Sequence, residues 1–225
     1  RLWQKVAAEE LQYHLRKMSG ATVPIVTEDA FRDAAGQAVI LVGQSRGVAA
    51  FGIDTRTLPP ATLRIKTAGN TLVLAGEDGT QVSHFARPRR EDIRLHSFLF
   101  GVRTGSLYAV YELLDKQFGC RWPFPGEIGE VIPTRATVEV PDGLDVTRTP
   151  EVMQRHFRPS LTTQWDEKTY KPLFAKFPDL ENAFPQLERD EALWLLRMRM
   201  GRACYFPYGH AYTKWWGKYG KTDPD

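Results

Sequence analysis

Trp3, Ala7, Leu11, Leu15 and Met18 recur at three- and four-residue spacing, which predicts an amphipathic helix from about Trp3 to Met18, ended by Ser19-Gly20. Two short apolar runs follow, Pro24 to Val26 and Ala38 to Val42, and both predict short buried strands, the second stopped by Gly43. Leu63 to Lys66 and Thr71 to Ala75 flank Gly69-Asn70 and predict a hairpin, closed by Gly76-Glu77-Asp78-Gly79. From Gln81 to His96 the pattern dissolves into proline and mixed charge, as in an exposed loop.

A second helical stripe is carried by Leu107, Val110, Tyr111, Leu114 and Phe118, with Glu112, Asp115, Lys116 and Gln117 facing away and Gly119 as the stop. Arg121 to Phe124, Glu130 to Ile132 and Thr137 to Val140 then predict strands, separated by Pro125-Gly126 and Pro133. Two helices among several strands predict an α+β fold, a mixed sheet with two helices on one face.

Pro141-Asp142-Gly143 and Thr147-Arg148-Thr149-Pro150 mark a polar, proline-punctuated junction, so the chain divides into residues 1–146 and 147–225. In the second part, Val152 to Phe157 predicts a strand, Asp190 to Met200 a helix with Leu193, Leu196 and Met200 on one side, and Ala203 to Pro207 another strand. Strand, helix, strand is the repeating module of a parallel α/β barrel.

Composition narrows the function classes. At 225 residues and 42% hydrophobic the chain can bury a full core. Its 30 basic and 27 acidic residues leave a net charge of +3, too even a balance for a phosphate-backbone partner, so nucleic acid is not expected. No apolar run is long enough to cross a bilayer and no signal peptide opens the chain. The chain begins at Arg1 inside an apparent helix, which predicts a trimmed start, so that feature does not assign a compartment. Cys120 and Cys204 fall on either side of the junction and lie in neither CxxC nor zinc-type spacing; no metal or cofactor is expected.

The segment Gly105-Ser106-Leu107-Tyr108-Ala109-Val110-Tyr111, followed by Gly119-Cys120-Arg121-Trp122, resembles the accessory domain that precedes the catalytic barrel in alpha-glucuronidases and beta-N-acetylhexosaminidases. It is more similar to a large bacterial family of the same two-part layout. AAEELQYHLRKMSGATVPIV, ILVGQS and NTLVLAGEDG upstream, and Thr149-Pro150 and WLLRMRMGRACYFPYGHAY downstream, extend the resemblance over most of the chain. It implies the N-terminal part of a glycoside hydrolase acting on polysaccharide or glycan, with only the opening strand-helix-strand of an incomplete (β/α)8 barrel in this chain, since eight such modules need about 250 residues. It also implies a periplasmic or extracellular setting, with uronic acid or N-acetylhexosamine-containing glycan and the remaining barrel of a parent chain as partners.

In a parallel barrel the working residues sit at the C-terminal rim of the strands. Arg155, His156 and Arg158 end the first proposed strand, where the resemblance implies an arginine gripping sugar hydroxyls or a uronic carboxylate; Arg155 matches that position and Arg158 is the fallback. The alternative for either is an arginine bridging to a carboxylate at the interface. Tyr208-Gly209-His210-Ala211-Tyr212 follows the second proposed strand and, with Trp215 and Trp216, has the aromatic and imidazole chemistry of a sugar subsite. His210 satisfied by a backbone carbonyl, and tryptophans left exposed by a missing barrel, are the plainer readings.

His14, one turn after Glu10, reads as a helix-flank histidine, and Arg87-Pro88-Arg89-Arg90, balanced at once by Glu91 and Asp92, reads as a solvated loop. Glycoside hydrolysis needs two carboxyl groups across the scissile bond, or one with substrate assistance. Asp166-Glu167 and Asp190-Glu191 supply no such pair: the first lies in an irregular stretch and the second opens a helix, where acids favour the dipole. No catalytic residue is therefore assigned, and the chain alone is expected to be inactive. The competing expectation is a non-catalytic carbohydrate-binding or protein-interaction module.

Overall fold

The computed structural model describes residues 2–32, 36–79, 103–155, 172, 175–202, 216–217 and 219–220. Helix α1, Leu2–Ser19, forms where the first stripe predicts it and buries Trp3, Val6, Ala7, Leu11, Leu15 and Met18. Strand β1, Val39–Val42, leads into a short helix α2, Arg46–Ala50, whose N-cap Ser45 accepts from the Val48 amide. Strands β2, Leu63–Ala68, and β3, Thr71–Gly76, form the predicted hairpin, with Ala68 paired to Thr71 across Gly69-Asn70.

The sheet order is β1-β3-β2-β4, where β4 is Asp145–Arg148. β1 runs parallel to β3 and the other two pairings are antiparallel, so the sheet is mixed. Period-2 alternation sorts the β3 side chains onto two faces. Leu72 and Leu74 join Leu63 and Ile65 of β2 against α1 and α3, Gly105–Lys116, while Val73 and Ala75 turn to the other face and pack with Val48 and Ile53. The α+β architecture is as expected, with two helices on one face; α2 adds an unforeseen cover to the other.

Helix α3 is buried nearly all round, because α1, the sheet and a later helix surround it. Tyr108, Ala109 and Leu113 are as buried as the expected stripe, and Glu112, expected to face away, is buried too. Gly119, at φ +75°, ends the helix, and the Cys120 amide beyond it turns back to donate to the Leu114 carbonyl.

Several predicted elements are corrected. Pro24 to Val26 forms no strand and is exposed, so its apolar character has no sheet edge to pair with. Arg121 and Val131 make one isolated antiparallel bridge where two strands were expected, and Thr137 to Val140 is irregular, although Val138 and Val140 still pack on the core. The 145–148 stretch, expected as linker, is β4, and the expected 146/147 boundary falls within it.

Helix α4, Pro178–Arg197, starts earlier and ends sooner than predicted; Asp190-Glu191 lies within it rather than at its opening. Its end is a Schellman motif built on Arg199 at φ +56°, with Arg199 N–H donating to Leu196 O and Met200 N–H to Leu195 O, so Met200 lies beyond the helix. Ala192, Leu193, Leu195 and Leu196 enter the same core as α1 and α3. Strands β5, Gln154–Arg155, and β6, Gly201–Arg202, pair antiparallel, not in the parallel relation of a barrel module. The loop expected from Gln81 to His96 and the strand expected from Ala203 to Pro207 lie outside the described residues. No helix among the described residues is long and apolar enough to cross a membrane.

Candidate functional site

Of the residues singled out for sugar binding, Arg155 is described, on β5; Arg158, Tyr208, His210 and Trp215 lie outside the described residues, as does His156. Trp216 is described and 61% exposed. Arg155 is half-buried. Its Nε donates to the Arg199 carbonyl at 2.9 Å, its Nη1 donates to the Val152 carbonyl at 2.8 Å, and its guanidinium lies 5.6 Å from the centre of the Tyr108 ring. The Tyr108 hydroxyl in turn donates to the Met200 carbonyl at 2.6 Å. Burial pushes that phenol up to about 12, so it stays a neutral donor.

Arg155 thus acts as a clamp, with Nε tying β5 to the turn after α4 and Nη1 bracing the chain just ahead of β5. A neutral side chain of the same length would lose both the fork and the stacking on Tyr108. The carboxylates nearby serve other arginines. Arg199 reaches Asp115 Oδ2 at 2.6 Å and Glu112 Oε2 at 3.0 Å, Arg148 reaches Glu112 Oε1 at 2.7 Å, and Arg121 reaches Asp115 Oδ1 at 2.6 Å.

At the start of α3, Asp78 places its carboxylate on the first turn, accepting from the Ser106 amide at 3.0 Å and the Ser106 hydroxyl at 2.7 Å. Burial lifts this acid to about 6, against the opposing pull of the Ser106 donors and the Gln4 side chain. Gly105 is required here: its amide donates to the Glu77 carbonyl, and an added Cβ would meet the Thr62 and Glu77 backbones.

One buried polar group among the described residues was not foreseen. Glu10 and His14, on the apolar side of α1, are fully buried rather than on its flank. The Tyr111 hydroxyl donates to Glu10 Oε2 at 3.0 Å, and Arg197 Nε of α4 donates to the same oxygen at 3.2 Å. Arg197 Nη1 continues to Glu130 Oε1 at 2.8 Å, whose second oxygen accepts from Tyr13 at 2.7 Å and Lys17 at 2.9 Å. Burial would lower the Arg197 pKa and raise that of Glu130, but Glu10 and Glu130 hold the arginine above its ordinary value, while the Tyr13 hydrogen bond and the Arg197 charge hold Glu130 below its own.

The Trp122 indole N–H donates to His14 Nε2 at 3.2 Å, and Trp194 of α4 donates to the Trp122 carbonyl at 2.7 Å. The sequence signal for this group was the i, i+4 placement of Glu10 and His14 beside Leu11 and Leu15: an acid and an imidazole on an apolar stripe need partners from elsewhere.

Among the described residues no group of three or more His, Cys, Asp or Glu side chains is arranged to hold a metal ion. Cys120 is a buried free thiol that burial pushes up to about 11, too high for a nucleophile near neutral pH. The sequence matches no protein-family model, and comparison with the curated proteins and with the solved structures gives no match.

Proposed function

We propose that this chain is the N-terminal supporting part of a glycoside hydrolase-like protein acting on a polysaccharide or glycan, contributing structure and part of a sugar subsite. The observation that carries the reading is where the family-like motif falls. Tyr108 binds the Met200 carbonyl, Tyr111 binds Glu10 beside Arg197, and the Trp122 carbonyl accepts from Trp194, so the motif residues grip the chain that follows the sheet. A layer built to carry a following unit has this arrangement. In this reading the chain beyond residue 147 leads into a catalytic (β/α)8 barrel. Arg155 then serves as both clamp and carboxylate-recognising fork, while Arg158, Tyr208, His210 and Trp215 line the same subsite.

A calorimetric titration of glucuronic acid and N-acetylglucosamine against the chain and its Arg155→Ala and Arg155→Lys variants tests this. Binding that Ala abolishes and Lys weakens supports the subsite; equal binding by all three removes Arg155 from it, and no binding by any leaves only the supporting role. A second reading, a non-catalytic interaction module, is favoured by the exposed Phe124 and Ile128, 65% and 93% accessible in a loop beside the buried network. Pull-down of intact glycans with Phe124→Ser/Ile128→Ser, alongside Arg155→Ala, separates the two.

A further inference from the structure

Both ring nitrogens of His14 are committed, and their partners fix its protonation. The indole N–H of Trp122 can only donate, so Nε2 must be the bare, accepting nitrogen; the Glu10 carbonyl can only accept, so Nδ1, 2.7 Å from it, carries the proton. A second proton would sit on Nε2, pointing at another N–H.

The nearest carboxylates are engaged with other donors. Glu10 of α1 has Oε2 occupied by Tyr111 of α3 and Arg197 of α4, and Glu130 is occupied by Arg197, Tyr13 and Lys17. Arg197 adds a like charge, stacked 5.9 Å from the Trp122 ring centre. Tyr13 and Trp122 meet the imidazole edge-on, at 5.1 and 5.5 Å between centres. Burial is the main cause holding the imidazole below its usual pKa, and Arg197 acts in the same direction against the raising pull of Glu10.

The bond that a second proton would break is one link in a chain. His14 orients Trp122, and the carbonyl of Trp122 receives the indole N–H of Trp194 on α4. We propose that His14 is an acid-sensitive pin for α4: neutral, it holds Trp122 and through it Trp194, and when doubly protonated it expels Trp122 and loosens α4 from the α1–α3 layer while the sheet stays folded. This holds whether or not the chain binds sugar.

Hydrogen exchange of the full chain at pH 7.5 and pH 5.0, corrected for intrinsic rates, tests it. Because an exposed imidazole titrates near about 6.5, opening of α4 is expected to increase by at least about tenfold, with a ceiling near 30-fold. Peptides from Glu191–Met200 should show it, and the β2–β3 hairpin should not. Simultaneous loss in both would overturn the pin, since it would report global unfolding. His14→Gln, which cannot titrate, should abolish the pH response of α4. Should that variant fold poorly, Trp122→Phe removes the opposing N–H, lets the folded state accept the second proton and should shrink the response; an unchanged response there would also overturn the proposal. Nitrogen-15 imidazole spectra should show the Nδ1–H tautomer at pH 7.5, and the Nε2–H form would contradict it.

Discussion

The amide of Gly105 donates to the carbonyl of Glu77 at 2.9 Å, which seats the first turn of α3 directly against the end of β3. The contact leaves no room for a side chain: a Cβ on Gly105 would lie 2.6 Å from the Glu77 amide nitrogen and against the Thr62 carbonyl. Both obstacles are backbone, so they cannot rotate away.

Gly105→Ala should therefore destabilise the protein despite the higher helix propensity of alanine. Overpacking costs about 1–3 kcal/mol where side chains can yield, and rigid backbone places this site at the upper end or beyond. Urea denaturation checks it; a gain in stability would mean that helix and strand separate more easily than the contact implies.

Arg197→Met should cost about 3–5 kcal/mol, because it leaves buried carboxylates without their cation. Glu10 loses the Arg197 charge, whereas Glu130 keeps Lys17. The double variant Glu10→Gln/Arg197→Met should accordingly recover part of the loss, and urea denaturation of both gives the comparison. Equal losses would show that Glu10 does not need the arginine.

Arg199 sits at φ +56°, where glycine is favoured, and is retained by its ion pairs to Asp115 and Glu112. Arg199→Gly and Arg199→Ala both remove the pairs, but only glycine relaxes the backbone. Their stabilities should differ by about 1 kcal/mol in favour of glycine. Thermal melts of the two variants would show it.

Asp78 titrates in the folded state near about 6, above its ordinary value of 3.8. A group raised in this way contributes most below the unfolded pKa, and that contribution is lost as pH rises through the folded one. Asp78→Asn keeps an acceptor for the Ser106 amide without the charge. Its stability should improve relative to the parent between pH 5 and pH 8, read as a widening difference in Tm; a constant difference would place the carboxylate in a wetter site.

Periodicity made α1, α3 and the β2–β3 hairpin legible, since each has an apolar face with a definite period. β4 was not legible: Asp145, Thr147 and Arg148 are exposed, so an edge strand held by backbone pairing to β2 carries almost no hydrophobic signal. Pro24 to Val26 erred the other way, being apolar without a partner strand. Glu112 and Glu10 were hidden for a third reason. Their burial depends on Arg148, Arg199 and Arg197, which arrive from distant sequence, and no local window contains both halves of such a pair. Arg155 was legible as a polar residue at a strand end, but its commitment to the Arg199 and Val152 carbonyls follows from how β5 meets the end of α4.

Glu10 and Arg197 are separated by 187 residues of chain. On a ribosome adding roughly 5–20 residues per second, α1 emerges about 10–40 s before the cation that neutralises its buried acid. During that interval Glu10 and His14 have every reason to remain hydrated, and α1 must wait to complete its packing. Helix α1 is thus among the last of the described elements to reach its native environment, and any chaperone assistance during synthesis would matter more to it than to the hairpin that follows.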